Sequence, residues 1–183
     1  SAGVDYRFSK KLVAGFGVGF GRDRTDVGAN GTQSTGRAYS AAVYGSYKPF
    51  DNFFLDGLVG GSWLDFDSRR YVTATGDFAN GARSGHQLFG SLTAAYEFRD
   101  ETWLFSPYGR VEMSRTWLDG FTEEGGGDFG LRYGEQSIDT VSGVIGLRAQ
   151  YAFKTSWGSL TPGARVEYTH DFAGSSRIHL GYI

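Results

Sequence analysis

The stretch GSLTPGARVEYTHDF, Gly158 to Phe172, is two residue sets interleaved. From Leu160 the even positions are Leu160, Pro162, Ala164, Val166, Tyr168, His170 and Phe172. The odd positions are Thr161, Gly163, Arg165, Glu167, Thr169 and Asp171. A period of two over that length makes a β-strand with one apolar and one polar face. A strand in a soluble sandwich is about 5–6 residues long and covers a shared core. A tilted strand crosses bilayer hydrocarbon in about 9–11 residues. The length of this stretch fits a membrane crossing.

The pattern recurs. Leu88, Gly90, Leu92, Ala94, Tyr96 and Phe98 alternate with Gln87, Ser91, Thr93, Glu97 and Arg99. Trp103, Phe105, Pro107, Val111 and Met113 alternate with Ser106, Tyr108, Arg110, Glu112 and Ser114. Val141, Ile145, Leu147, Ala149, Tyr151 and Phe153 alternate with Ser142, Arg148, Gln150 and Lys154, and Val4, Tyr6 and Phe8 with Asp5 and Arg7. Each segment is a weak signal, and their sum is the signature of an outer-membrane barrel. The chain is therefore expected to be all-β, an antiparallel up-and-down transmembrane β-barrel in which residues 1–183 form one domain.

Composition agrees with that class. The 183 residues include 29 Gly, only 3 Pro and 16% aromatics, while the mean hydropathy is −0.32. A transmembrane helix needs about 20 consecutive apolar residues, and the chain has no such run. Barrels hide their hydrophobicity by alternation, so the negative mean is no objection. A net charge of −2 argues against nucleic acid as a partner. The absence of Cys excludes a disulfide framework and thiol chemistry.

Connections fall into two classes. Short ones lie at Ser9–Lys11, Lys48–Asn52, Phe98–Thr102 and Lys154–Ser159, and long, Gly- and charge-rich ones at Arg22–Gly36, Arg69–Ser84 and Arg115–Thr140. Their alternation matches tight periplasmic turns and long extracellular loops. Aromatics gather near the short turns, among them Tyr6, Phe8, Tyr47, Phe50, Tyr96, Trp103 and Phe153, as an interfacial girdle. The expected strands are 1–9, 11–22, 37–49, 52–67, 85–98, 103–115, 139–154 and 159–172, with a ninth from Arg177 to Ile183. The first strand ends at a short turn and so descends toward the periplasm. A barrel with both termini periplasmic needs an ascending strand before it, so the chain is expected to be a fragment.

Six stretches in order, GVDYRF, YSAAVYGSY, FLDGLVGGSWLDFDSRR, SPYGRVEMSRTWLDGFTEEGG, YGEQSIDTVSGVIGLRAQYAF and GSLTPGARVEYTHDF, resemble the β-domain of classical (type V) autotransporters. The resemblance covers nearly the whole chain. It implies a barrel of about twelve strands in the outer membrane of a Gram-negative bacterium. Such a barrel supports secretion or surface display of an N-terminal passenger. It also implies one strand ahead of Ser1, further strands after the ninth, and three partners: outer-membrane lipid, a passenger segment or linker helix of the same chain in the lumen, and the barrel-assembly machinery. A free-standing pore or adhesin without a passenger is the alternative.

Two groups of residues are expected to face the lumen. Gly15, Gly17, Gly19 and Gly21 alternate with lipid-facing Leu12, Ala14, Phe16, Val18 and Phe20, and with Ser40, Ala42, Ser46, Gly60 and Ser62 they form a bare wall. That wall either leaves room for a linker helix or relieves crowding as the sheet curves. Arg110, Glu112, Arg148, Gln150, Arg165 and Glu167 form the opposite, charged wall, read as a salt-bridge ladder. The run GFGVGFG has the spacing GxGxGxG rather than that of a nucleotide loop. His86, His170 and His179 are too scattered for a metal site, and Asp65, Asp67, Glu123, Glu124 and Asp128 read as a solvated face. No catalytic residue, cofactor or metal is expected; the barrel is not read as an enzyme.

Overall fold

A chain segment in hydrocarbon must pair every backbone donor and acceptor within the protein, and long alternating segments do so by laddering with their chain neighbours. The computed structural model describes residues 1–28, 30–173 and 180–182. Its strands are β1 (Ala2–Arg7), β2 (Leu12–Val27), β3 (Thr32–Tyr47), β4 (Phe53–Val72), β5 (Asp77–Tyr96), β6 (Phe98–Arg99) and β7 (Trp103–Leu118). They continue as β8 (Phe121–Thr122), β9 (Leu131–Tyr133), β10 (Gln136–Tyr151), β11 (Phe153–Thr155), β12 (Gly158–Leu160), β13 (Gly163–Asp171) and β14 (Leu180–Tyr182). The main sheet runs β1-β2-β3-β4-β5-β7-β10-β13, in chain order and antiparallel throughout, with β6 an added rung on β7. β11 and β12 form a hairpin, and β8, β9 and β14 a small second sheet.

Register turns the alternation into two faces. Val4, Phe16, Val43 and Val59 are successive cross-strand partners, 55%, 58%, 56% and 58% exposed. The row continues through Gly90 and Met113 to Val141. Among the described residues only Val72, Ala79, Leu104 and Val144 are buried hydrophobics, so the chain has almost no conventional core. A sheet that turns continuous rows of apolar side chains outward across its strands is the wall of a transmembrane β-barrel.

Two aromatic rows bracket the apolar band. Near the short turns the rings of Tyr6 and Phe8, Phe50 and Phe53, Tyr96 and Phe98, and Trp103 and Tyr151 lie 5.0, 4.9, 4.8 and 4.6 Å apart. At the far end, register aligns Phe20, Tyr39, Trp63, His86 and Trp117 in a single row across β2, β3, β4, β5 and β7. Along β4, Phe53 and Trp63 mark the two rows. Their separation of ten residues spans about 33 Å of strand, or about 25 Å of membrane normal at a tilt of about 40°. That matches the apolar band of an outer-membrane barrel.

The structure moves several expected boundaries. Arg22–Gly36 and Arg69–Ser84 are mostly strand rather than loop: β2 and β3 pair from Val27 and Thr32 inward, and β4 and β5 from Val72 and Asp77. Stretches such as RDRTDV and TQSTGR carry no apolar set, because beyond the bilayer both faces meet water. Their pairing is therefore invisible to hydropathy. The tips close through Gly28, Gly31 and Gly76, all with φ near +70°. Arg115–Thr140 is likewise shortened at both ends, by β7 and β10. The expected ninth strand does not extend the main sheet in its described residues: Leu180–Tyr182 pairs with β9. The free edge of β9 offers the same backbone partners as the edge of β13. Arg177, His179 and Ile183 lie outside the described residues.

Because Val59 and Ser91 sit at similar depth on opposite faces, their substitution separates the two environments. Val59→Arg should destabilise the full-length protein in lipid by about 2–4 kcal/mol. Ser91→Lys, whose cross-strand partner is Glu112, should cost clearly less. Urea unfolding in lipid vesicles reads both, and equal losses would contradict the separation of faces.

Candidate functional site

The polar face concentrates charge on β7, β10 and β13. Glu167 is the hub: the Tyr108 hydroxyl donates to its Oε1, Arg110 Nη1 lies 3.7 Å away and Arg165 Nε 3.9 Å. Tyr108 is on β7 and Glu167 on β13, two strands apart. The contact is possible because the residue between them in register is Gly146, whose missing side chain leaves room for the phenol ring. Arg110 Nε also stands 2.7 Å from Glu112 Oε1, at an angle that makes it an ion pair and not a hydrogen bond.

Arg148 and Arg165 are direct cross-strand partners, an arrangement that like charges disfavour. They diverge. Arg148 reaches Glu97 at 3.3 Å while Arg165 turns to Glu167, and Arg99 closes on the other side of Glu97, also at 3.3 Å. Gln150 stands apart, with its Cγ packed against Gly163. Five of the six expected residues thus enter ion pairs. Sequence reasoning missed Tyr108 and Glu97 as partners, although both carry the polar phase of their strands.

The glycine wall is bare only in part. A Cβ on Gly15 would stand 2.8 Å from Asp5 Cα, so that glycine admits the close approach of β1. The β1 backbone runs beside Gly17, with Ala2 O 3.4 Å from where a Cβ would stand, and the Phe89 ring lies over Gly60. Around Gly19 and Gly21 the nearest atoms to a Cβ are those of Ser1, Ser40 and Ala38, at 3.9–4.0 Å. The open surface is therefore Gly19, Gly21 and the hydrogen-bonded Ser40–Ser62 pair, 2.8 Å apart. Close packing at one end of the strand thus gives way to open space at the other.

Beyond the ends of β7 and β10, residues 119–135 fold back onto the β4–β5 hairpin. Asn80 and Glu124 exchange two 2.8 Å backbone hydrogen bonds, which continues the ladder beside β5 where β7 has ended. Phe121 stacks on Tyr133 at 4.5 Å and fits over Gly81. Arg70 donates to both carboxylate oxygens of Glu123, at 3.0 and 2.5 Å, and to the Phe129 carbonyl at 2.9 Å. The Leu131 amide donates to the same carboxylate. Glu123 is 5% exposed, so its placement on a solvated face is corrected: its charge is buried and answered by a guanidinium. Hydrogen bonds from Arg70 hold its carboxyl below the ordinary range, against the opposing effect of burial. Burial, then the Glu123 charge, pushes the Tyr133 phenol up.

The autotransporter β-domain family profile matches residues 1–183. Esterase EstA of Pseudomonas aeruginosa is 27% identical over 175 residues, 92% of this chain and 26% of that protein. Lipase 1 of Photorhabdus luminescens is 24% identical over 182 residues, 97% of this chain and 27% of that protein. The chain thus spans about a quarter of the length of these curated relatives. The translocator domain of the autotransporter NalP from Neisseria meningitidis superposes with a TM-score of 0.81 at 16% identity, covering 95% of this chain and 60% of that one. The sheet and its two faces define an outer-membrane β-barrel. The chain belongs to the autotransporter β-domain family: it is a translocator barrel of the Gram-negative outer membrane, supporting secretion or display of a passenger.

The depressed carboxyl of Glu123 makes loop docking pH-dependent. A carboxylate whose folded pKa lies below its unfolded value of about 4.3 stabilises fully above that value and loses its effect as pH falls through the folded pKa. Residues 119–135 should therefore stay protease-resistant at neutral pH and open only below about pH 4. Glu123→Gln should expose them at neutral pH. Limited proteolysis of the full-length protein across pH reads both.

Proposed function

We propose that the polar face lines the lumen of the translocator, with the Gly19–Gly21 and Ser40–Ser62 surface as the seat of the passenger's linker segment and the Glu167 cluster as the charged wall opposite. The observation that carries this reading is the division of faces: rows of exposed apolar side chains on one, and on the other ion pairs that reach across an intervening strand. A linker helix is about 10 Å wide with its side chains, so it needs a surface where side chains are absent. Gly19 and Gly21 supply one. Arg110, Glu112, Arg165 and Glu167 satisfy one another and Glu97 answers Arg148, so they stiffen the wet wall and leave the linker free to move past.

The barrel itself is not an enzyme in this reading. The esterase and the lipase match this chain over about a quarter of their length. A hydrolytic activity of that kind would reside in a passenger, outside the matched part. Insertion is assigned to the barrel-assembly machinery, since each backbone group left unpaired in lipid costs several kcal/mol and closure must be guided.

Residues 1–183 hold no Cys, so a single cysteine placed among them reports facing directly. With the passenger and linker removed, Gly19→Cys, Ser40→Cys and Arg148→Cys should react with a membrane-impermeant maleimide. Val18→Cys, Val43→Cys and Leu147→Cys should not. Restoring the linker should protect Gly19→Cys and Ser40→Cys first. Equal labelling of the two sets would overturn the lumen assignment, and unprotected Gly19→Cys would remove the linker seat.

A further inference from the structure

Above the far aromatic row, the apolar face changes character within one rung. Phe20 and Tyr39 are cross-strand partners with rings 5.0 Å apart. Two residues further along each strand, on the same face, Arg22 and Arg37 are again direct partners. Arg24 follows two residues beyond Arg22. Three guanidiniums therefore stand within two rungs of adjacent strands, all exposed. Like charges placed directly opposite on a sheet destabilise it, and nothing in the ladder requires Arg at both positions.

Partners for these groups are unevenly supplied. Arg37 Nη2 is 3.4 Å from Asp67, with both side chains about half exposed. Arg24 is 3.5 Å from Asp26 and donates to Gln33 Oε1 at 2.7 Å. Asp65, the β4 partner of Arg37, accepts from Ser84 instead. Arg22 has no carboxylate partner among the described residues. Asp23 is on the opposite face, where it accepts from Thr25. Of the pair, Arg22 is thus the guanidinium without an ion-pair partner among the described residues, exposed beside Arg37.

Height identifies what would answer it. Interfacial aromatics sit at headgroup level. Two residues along a strand tilted by about 40° rise about 5 Å, from the ring zone to the phosphates. The guanidinium fork matches phosphate oxygens bidentately, and a phosphomonoester carries about two negative charges against the two guanidiniums. By the rule that long hairpins are extracellular, this end of the barrel lies in the outer leaflet.

We infer that Arg22 and Arg37, seated on Phe20 and Tyr39 and assisted by Arg24, form a docking site for a phosphomonoester-bearing lipid headgroup of the outer leaflet. The acyl chains of that lipid run down the exposed row through Val18 and Ala41 to Phe16 and Val43, so the site is continuous with the lipid-facing wall. The headgroup anion relieves the Arg22–Arg37 repulsion and locks β2 against β3 where the hairpin leaves the bilayer.

The test uses the full-length protein in nanodiscs containing bis-phosphorylated lipid A, its dephosphorylated form, or phosphatidylglycerol, a phosphodiester. Lipid retained through detergent extraction is counted by native mass spectrometry. Wild-type protein should retain lipid A in preference to the other two. Arg22→Gln/Arg37→Gln should lower that retention by about tenfold, the equivalent of one lost charged contact of about 1.4 kcal/mol. Arg99→Gln, beyond the opposite aromatic row, should change nothing. Because all three positions are exposed, the heat-modifiable migration of the barrel should persist and will confirm folding. Undiminished lipid A retention by the double variant would overturn the site, as would equal loss in Arg99→Gln. Equal retention of phosphatidylglycerol would overturn its chemistry.

Discussion

The backbone hydrogen-bond ladder is the constraint on which everything else in this molecule depends. In hydrocarbon no water answers an unpaired N–H or C=O, so each crossing segment must be paired on its neighbours along its whole length. Chain-order antiparallel pairing from β1 to β13 meets that requirement with the shortest connections available. The side chains are then free of the usual duty of forming a core. They sort by solvent, with apolar groups toward lipid and polar groups toward water, and their rows follow from register alone.

Glycine makes the polar face workable. Large residues on that face cannot all stand side by side, and two of them lie over a neighbour's glycine: Phe89 over Gly60 and Tyr108 over Gly146. The last of these lets a phenol on β7 meet a carboxylate on β13, so the missing side chain sets up the charge cluster. The Arg70–Glu123 pair shows a different economy. A single buried carboxylate collects a guanidinium and a backbone amide, which anchors residues 119–135 alongside the Phe121–Tyr133 stack.

Much of this was legible in the chain. Alternation named the strands within the bilayer, and the phase of each strand placed Arg110, Glu112, Arg148, Arg165 and Glu167 on one face. What sequence reasoning lost lies where hydropathy is silent. The outer halves of β2 to β5 carry water on both faces, so their period disappears although their pairing does not. The row Phe20, Tyr39, Trp63, His86 and Trp117 is scattered through nearly a hundred residues, and only register makes it a row. Glu123 stands with Glu124 and Asp128 in a long acidic, Gly-rich connection, so the chain alone gives it a solvated face, and only the fold brings Arg70 to it.

The sequence by itself determined the fold class, the two-faced strands, their order and the family, because each depends on local period and on residues near in the chain. Tertiary structure decided which groups answer one another. Arg70 with Glu123, Tyr108 with Glu167 and Arg148 with Glu97 are separated by 53, 59 and 51 residues. Those partnerships depend on register, sheet curvature and the room left by a glycine between them. A one-residue slip in pairing would keep every local signal of the strand and exchange its faces, so the energy that selects the pairing is that of the assembled wall.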